Sequence, residues 1–259
     1  MADMLLTNTL STPMVYFNSY GKDSEELSQE AKVAFDAGVR ALEKKVAGEA
    51  ITSFTKVIHE KPNFTPAINN LGALYYSIGR VSESVYFLED AIKKNPKDFQ
   101  SRYNLGTLYC LNRGFEQAKN QLSQARALLP NDPAILNNLA ISCLNMSQLE
   151  EASQLWQGIM DDYSKFDLAF HNYAHLLCQK EEYEQAEEYY KKAMDLNNQN
   201  VITANDLACC YYKSGKVQEA ISLLTKIIES TAKGFQPAIY NLGYIAITEK
   251  LLPAENNLS

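Results

Sequence analysis

Ala67-Ile68-Asn69-Asn70-Leu71-Gly72-Ala73-Leu74-Tyr75-Tyr76 is the stretch whose reading decides the fold, because closely similar stretches return downstream every 34 residues. Arg102-Tyr103-Asn104-Leu105-Gly106-Thr107-Leu108-Tyr109 is the next copy. Leu136-Asn137-Asn138-Leu139-Ala140, His171-Asn172-Tyr173-Ala174, Asn205-Asp206-Leu207-Ala208 and Tyr240-Asn241-Leu242-Gly243 follow. A fixed period of this length implies a stacked array in which each unit buries its apolar face against its neighbours.

Counting from Ala31 as the first position, a small residue stands at position eight of each unit: Gly38, Gly72, Gly106, Ala140, Ala174 and Ala208. Position twenty is small as well, from Ala50 and Ser84 through Ala118, Ala152, Ala186 and Ala220. Two helices that pass closely need small residues where they meet. Position twenty-four carries Phe54, Leu88, Leu122, Trp156, Tyr190 and Leu224, which read as packing side chains. Pro62, Pro96 and Pro130 close three units where a second helix must stop. Units four to six end instead on Tyr163-Ser164-Lys165-Phe166, Asn197-Asn198-Gln199-Asn200 and Thr231-Ala232-Lys233-Gly234, which are less rigid breakers. The register slips by one residue near Phe235.

With the period, both small positions, the large position and the closing prolines in one register, residues 31 to 252 resemble a tetratricopeptide repeat (TPR) protein. The resemblance implies an all-α fold, a right-handed superhelical solenoid of antiparallel helix pairs whose first helices line a concave groove. Six full repeats are expected at 31–64, 65–98, 99–132, 133–166, 167–200 and 201–234, with a partial seventh at 236–259. The solenoid as a whole is placed at 24–259, with Ser24 as the N-cap of its first helix and Glu25 and Glu26 in the first turn. Because the seventh unit stops soon after Pro253, the sequence reads either as a fragment or as an array whose end another chain covers.

Residues 1–23 stand outside the period and are read as an apolar-aromatic leader. They lack the basic start and unbroken apolar run of a signal peptide. Leu5, Leu6, Val15, Tyr16, Phe17 and Tyr20 set the leader apart from a tail of low hydrophobicity. Its Met14-Val15-Tyr16-Phe17-Asn18-Ser19-Tyr20 is nearly uncharged and is a candidate occupant of the groove. Lys plus Arg number 24 against 31 Asp plus Glu, a formal charge of −7, which disfavours nucleic acid as a partner. No segment is apolar for long enough to insert in a membrane. Five cysteines without a CxxC pattern fit a reduced, cytoplasmic setting.

The candidate peptide-binding residues repeat with the units. Position six reads Asn70, Asn104, Asn138, Asn172, Asp206 and, after the slip, Asn241, after Asp36 in the first unit. Position five reads Asn69, Tyr103, Asn137, His171 and Asn205, following Phe35, with no lysine among them. A primary amide presents a donor and an acceptor together and can grip a peptide backbone, or it can tie one helix pair to the next. The position-six run is similar to the asparagine ladder with which the TPR superhelix of O-linked N-acetylglucosamine transferase, and importin-α armadillo repeats, hold extended peptides. No transferase domain accompanies it here, so the resemblance implies groove chemistry alone. Tyr76, Cys110, Leu144, Cys178, Tyr212 and Ile247 at position twelve, with Ala73, Thr107, Ile141, His175, Cys209 and Tyr244 at position nine, give a neutral, apolar-aromatic lining.

The sequence offers no phosphate loop, nucleophile elbow or strand pattern for an active site, so no enzyme activity and no cofactor are expected. His171, His175 and Cys178 share a helix face with Cys209 nearby, a conceivable zinc set that reads more simply as groove lining. A carboxylate-clamp co-chaperone would need basic residues at position five. What remains is a scaffold or adaptor for a protein or peptide partner with apolar or aromatic side chains. The alternative is a self-assembling rod or chaperone, a possible homo-oligomer, whose groove holds its own or a neighbour's N-terminal segment.

Overall fold

The computed structural model describes residues 27–231 and 234–251. The leader at 1–23, Ser24, Glu25, Glu26 and residues 252–259 lie outside them. The described residues are all-helical, form thirteen helices and fall into two compact units divided after Gln148.

The first unit holds α1 (Gln29–Glu43), α2 (Ala47–Glu60), α3 (Thr65–Ser77), α4 (Val81–Lys94), α5 (Phe99–Leu111), α6 (Phe115–Leu128) and α7 (Pro133–Asn145). The second holds α8 (Leu149–Asp162), α9 (Asp167–Gln179), α10 (Tyr183–Leu196), α11 (Val201–Lys213), α12 (Val217–Ser230) and α13 (Gln236–Thr248). Helices α3, α5, α7, α9 and α11 begin 34 residues apart, and α13 begins 35 after α11, where the register slips. Consecutive helices pack as pairs, α1 with α2, α3 with α4, α5 with α6, α9 with α10 and α11 with α12.

Local chemistry sets the helix ends. α1 starts at Gln29 because Ser28 caps it, its Oγ accepting from the Ala31 amide at 3.1 Å. Asp98, Asp132 and Asn200 cap α5, α7 and α11 in the same way, each accepting from two amides of the first turn. α2, α4 and α6 each end two residues ahead of Pro62, Pro96 and Pro130, which offer no N–H to continue a helix.

Between the two helices of a pair the chain turns through three residues, the middle one with positive φ: Lys45, Gly79, Arg113, Glu181 and Gly215. The third residue of the turn bonds back across the helix end, as Gly114 N to Tyr109 O at 2.8 Å and Lys216 N to Tyr211 O at 2.8 Å. This is a Schellman closure, which reverses the chain within one turn. Gly215 has φ +83°, and a Cβ added there would meet nothing within 4 Å, so the backbone alone makes glycine the better residue. Gly158, inside α8, also has open space where a Cβ would stand but is helical. Gly215→Ala is expected to destabilise by about 1 kcal/mol and Gly158→Ala to stabilise by up to about 1 kcal/mol. Urea melts of the two variants, read for opposite signs, check this.

The close passages expected from the small positions are present. A Cβ on Gly38 would stand 2.7 Å from the Phe54 ring, on Gly72 2.7 Å from Leu88 Cγ, and on Gly106 2.6 Å from Leu122 Cγ. Phe54, Leu88 and Leu122 are themselves buried, as are Ala50, Ser84 and Ala118 at position twenty. Phe35 holds Phe54 and Phe64 in edge-to-face contact at 5.5 and 5.6 Å.

Candidate functional site

The first helices of the pairs carry the position-five and position-six residues on neighbouring flanks, and the structure joins them across helices. In the unit ending at Gln148, Asn104 Nδ2 donates to Asn69 Oδ1 at 2.9 Å, and Ser101 Oγ donates to the same oxygen at 3.2 Å. One repeat on, Asn138 Nδ2 donates to Tyr103 Oη at 3.2 Å and to Thr107 Oγ1 at 2.8 Å. In the other unit Asn241 Nδ2 donates to Asn205 Oδ1 at 2.9 Å and lies 3.2 Å from Cys209 Sγ. His171 is held by Thr203 Oγ1, 3.1 Å from Nδ1, with Asp206 Oδ2 3.6 Å from Nε2. The rule is the same each time: position five of one repeat meets position six of the next.

These side chains are withdrawn from solvent. Asn69, Asn70, Asn205 and Asp206 are 0% exposed, and Asn104 and Asn172 6%. Tyr103, Asn137, Asn138, His171 and Asn241 are buried too. Their hydrogen bonds run between successive first helices, the tying role that the sequence allowed beside the gripping of a peptide. The physical reason is spacing. Helices 8–10 Å apart bring two short amide side chains within hydrogen-bond reach of each other, and a buried amide without a partner is costly.

Positions nine and twelve continue the same face. Ala73, Thr107 and Cys110 are buried, with Cys110 Sγ 3.1 Å from Ser142 Oγ. Tyr76, Tyr212 and Tyr244 are half-buried, and Tyr212 meets Tyr244 edge-to-face at 6.1 Å while its hydroxyl donates to Glu249 at 3.1 Å. No Lys, Arg, Asp or Glu occupies positions five, nine or twelve from α3 to α11.

The titratable groups on this face are kept neutral. Burial pushes the Cys110 thiol up to about 11 and raises Cys209 well above the thiol range. Protonated, enclosed thiols make poor nucleophiles and metal ligands. Among the described residues no three His, Cys, Asp or Glu side chains are placed to hold a metal ion, so His171, His175, Cys178 and Cys209 do not assemble a zinc site. His171 is lowered to about 3 by burial first and by His175 second, although the nearby Asp206 carboxylate favours the charged ring.

His175 is the cleaner case. Burial, with Lys213 adding to it, lowers its pKa to about 4, and its Nε2 has no hydrogen-bond partner. An unfolded chain takes up this proton near pH 6.5 and the folded chain only near 4. Stability from a neutral His175 is therefore fully present above pH 6.5 and is lost as pH falls toward 4. His175→Gln is expected to recover roughly 2 kcal/mol of the loss between pH 7 and 4.5, measured by urea melts at the two pH values.

That a position-six amide can tie one helix pair to the next is legible in the sequence, but its partner at position five and the capping residues Asp98, Asp132 and Asn200 are not. The caps recur in register with the period, and that recurrence is a signal that could have found them.

Among the described residues no helix is long and apolar enough to cross a membrane. Tetratricopeptide repeat family models match residues 67–95, 87–127 and 166–233, which span α3–α4, the end of α4 through α6, and α9–α12. Protein O-mannosyl-transferase Tmtc3 of Drosophila melanogaster is 26% identical over 134 residues, 51% of this chain but 14% of that protein. A tetratricopeptide repeat protein from Parabacteroides merdae ATCC 43184 superposes with a TM-score of 0.74 at 17% identity, covering 86% of this chain and 88% of that one. A chain of the APC/C hetero-tetramer Cut9-Hcn1 does so with a TM-score of 0.74 at 18% identity, covering 86% and 44%. At such identities the structural likenesses speak to fold alone. Sequence matches, helix pairing and solenoid neighbours agree, and the chain is a tetratricopeptide repeat protein.

Proposed function

We propose that this chain is a cytoplasmic protein-interaction scaffold, without catalytic activity of its own, that holds an extended apolar-aromatic segment of a partner against its first helices. The observation that carries the reading is the neutral lining: positions nine and twelve from α3 to α11 bear tyrosines, small and apolar residues and no formal charge other than a protonated His175 would bring. A tetratricopeptide repeat fold is consistent with protein–protein interaction, and the related chain of the Cut9-Hcn1 hetero-tetramer is found in an assembly. The transferase activity of the Tmtc3 relative is not carried over, since the match spans 14% of that protein. Five free, buried cysteines support a reducing compartment.

In this reading the asparagine ladder contributes as a frame. By fixing the distance between successive first helices, it sets the interval at which lining side chains recur, about one every third residue of an extended peptide. Panning random heptapeptides against the intact chain tests the selectivity. Enrichment of Tyr, Phe and Leu is the expected result, with affinities that vary little with salt. Enrichment of acidic or basic peptides, or a steep salt dependence, contradicts the reading.

A further inference from the structure

Ser84 is the exception at its position in the repeat. Position twenty is alanine in the other units, at Ala50, Ala118, Ala152, Ala186 and Ala220, where the two helices of a pair pass closely. Ser84 is 0% exposed like those alanines, yet its Oγ has no hydrogen-bond partner among the described residues. Helical hydroxyls elsewhere turn back on the carbonyl four residues earlier, as Thr52 does to Gly48 O at 3.0 Å and Ser142 to Asn138 O at 2.9 Å. Ser84 does not, and a buried hydroxyl without a partner is costly.

That hydroxyl borders a small cavity. It lies between α3, α4 and α5, within the unit ending at Gln148, and is lined by Ser84, Asn104 and Thr107 beside Ala73, Tyr76 and Leu88. The space open to the centre of a water molecule is about 10 Å³, room for one water and for no larger ligand. Thr107 brings a second hydroxyl, the one aliphatic hydroxyl found at position nine. It is 4% exposed, and its Oγ1 accepts from Asn138 Nδ2 at 2.8 Å, so its own proton points to a further acceptor. Each of the two hydroxyls is the exception in its own register, and both line the same cavity.

We propose that one ordered water fills this cavity and bridges Ser84 Oγ on α4 to Thr107 Oγ1 on α5. Water is donor and acceptor at once, so it accepts from the Thr107 hydroxyl and satisfies Ser84 Oγ. Through Thr107 it joins α4 to the amide bonds that run along the first helices, and the ladder here ties a second helix as well. Tyr76 is half-buried while the other lining residues are buried, which makes its side the route by which the water exchanges.

Deuterium and oxygen-17 relaxation dispersion of the solvent, which counts waters held inside a protein, tests this on the intact chain. Ser84→Ala restores the residue of the other units and is expected to fold, while Thr107→Val keeps the side-chain shape. Each is expected to lower the dispersion amplitude by one long-lived water. Ser142→Ala is the control, because it removes a buried hydroxyl already bonded to Asn138 O, and it is expected to keep the parent amplitude. An amplitude unchanged in Ser84→Ala or Thr107→Val, or an equal fall in Ser142→Ala, overturns the proposal.

Discussion

Gly106→Leu is expected to cost about 3 kcal/mol or more, the largest effect of any single change considered for this chain. Even the first carbon of the new side chain would stand 2.6 Å from Leu122 Cγ and 3.4 Å from the Ala118 carbonyl oxygen. Neither neighbour has room to yield, since Leu122 and Ala118 are both 0% exposed. The helix-propensity gain of replacing glycine, about 0.8 kcal/mol, offsets only part of this. Gly243→Leu is the internal control. It holds the same position in its repeat, but a Cβ there meets nothing within 4 Å, and neighbouring Tyr240 and Ile247 are 67% and 69% exposed. Urea unfolding followed by far-UV circular dichroism should therefore show a large loss for the first variant and little for the second. In a stacked array the loss should also be local, so the Gly106 variant is expected to unfold with reduced cooperativity.

The second large effect belongs to the ladder. Replacing Asn104 and Asn138 together by alanine removes one of the two donors to Asn69 Oδ1, Ser101 Oγ being the other, and the donor shared by Tyr103 Oη and Thr107 Oγ1. All of these residues are buried, so water cannot simply substitute. A lost buried partner costs about 1–3 kcal/mol, and the pair is expected to cost about 3 kcal/mol in all. Were these amides instead facing an open groove, the same double variant would melt almost like the parent. Thermal melts at matched concentration separate the two, and a shift in Tm of less than about 2 °C would contradict the ties.

The repeat architecture was legible in the sequence because close helix passage is a steric requirement that recurs at fixed spacing. Gly72 and Gly106, with Leu88 and Leu122 sixteen residues on, already display the contacts that the structure contains. Pro62, Pro96 and Pro130 likewise mark ends that backbone chemistry imposes. The ladder was legible as a pattern and not as a role. Asn69 and Asn104 are separated by 35 residues, which places them on successive first helices. Whether such amides meet each other or a ligand depends on how closely those helices approach, a tertiary quantity that no local signal carries. The turns were half legible: Gly79 and Gly215 announce positive φ, while Lys45, Arg113 and Glu181 adopt it without glycine. Tertiary packing of the pairs overrides the local preference there.

The central claim is that a neutral face of the first helices selects an apolar-aromatic segment, and calorimetric titration of a panned heptapeptide tests it most directly. Tyr76 in the unit ending at Gln148, and Tyr212 with Tyr244 in the other, are half-buried aromatics of the first helices, so Tyr76→Glu, Tyr212→Glu, Tyr244→Glu alters the lining within each unit. The account predicts that binding to the parent chain changes by less than about threefold between 50 and 500 mM salt. It predicts that the triple variant binds at least about tenfold more weakly while its Tm stays within a few degrees of the parent. A triple variant that folds and binds as tightly as the parent contradicts the claim.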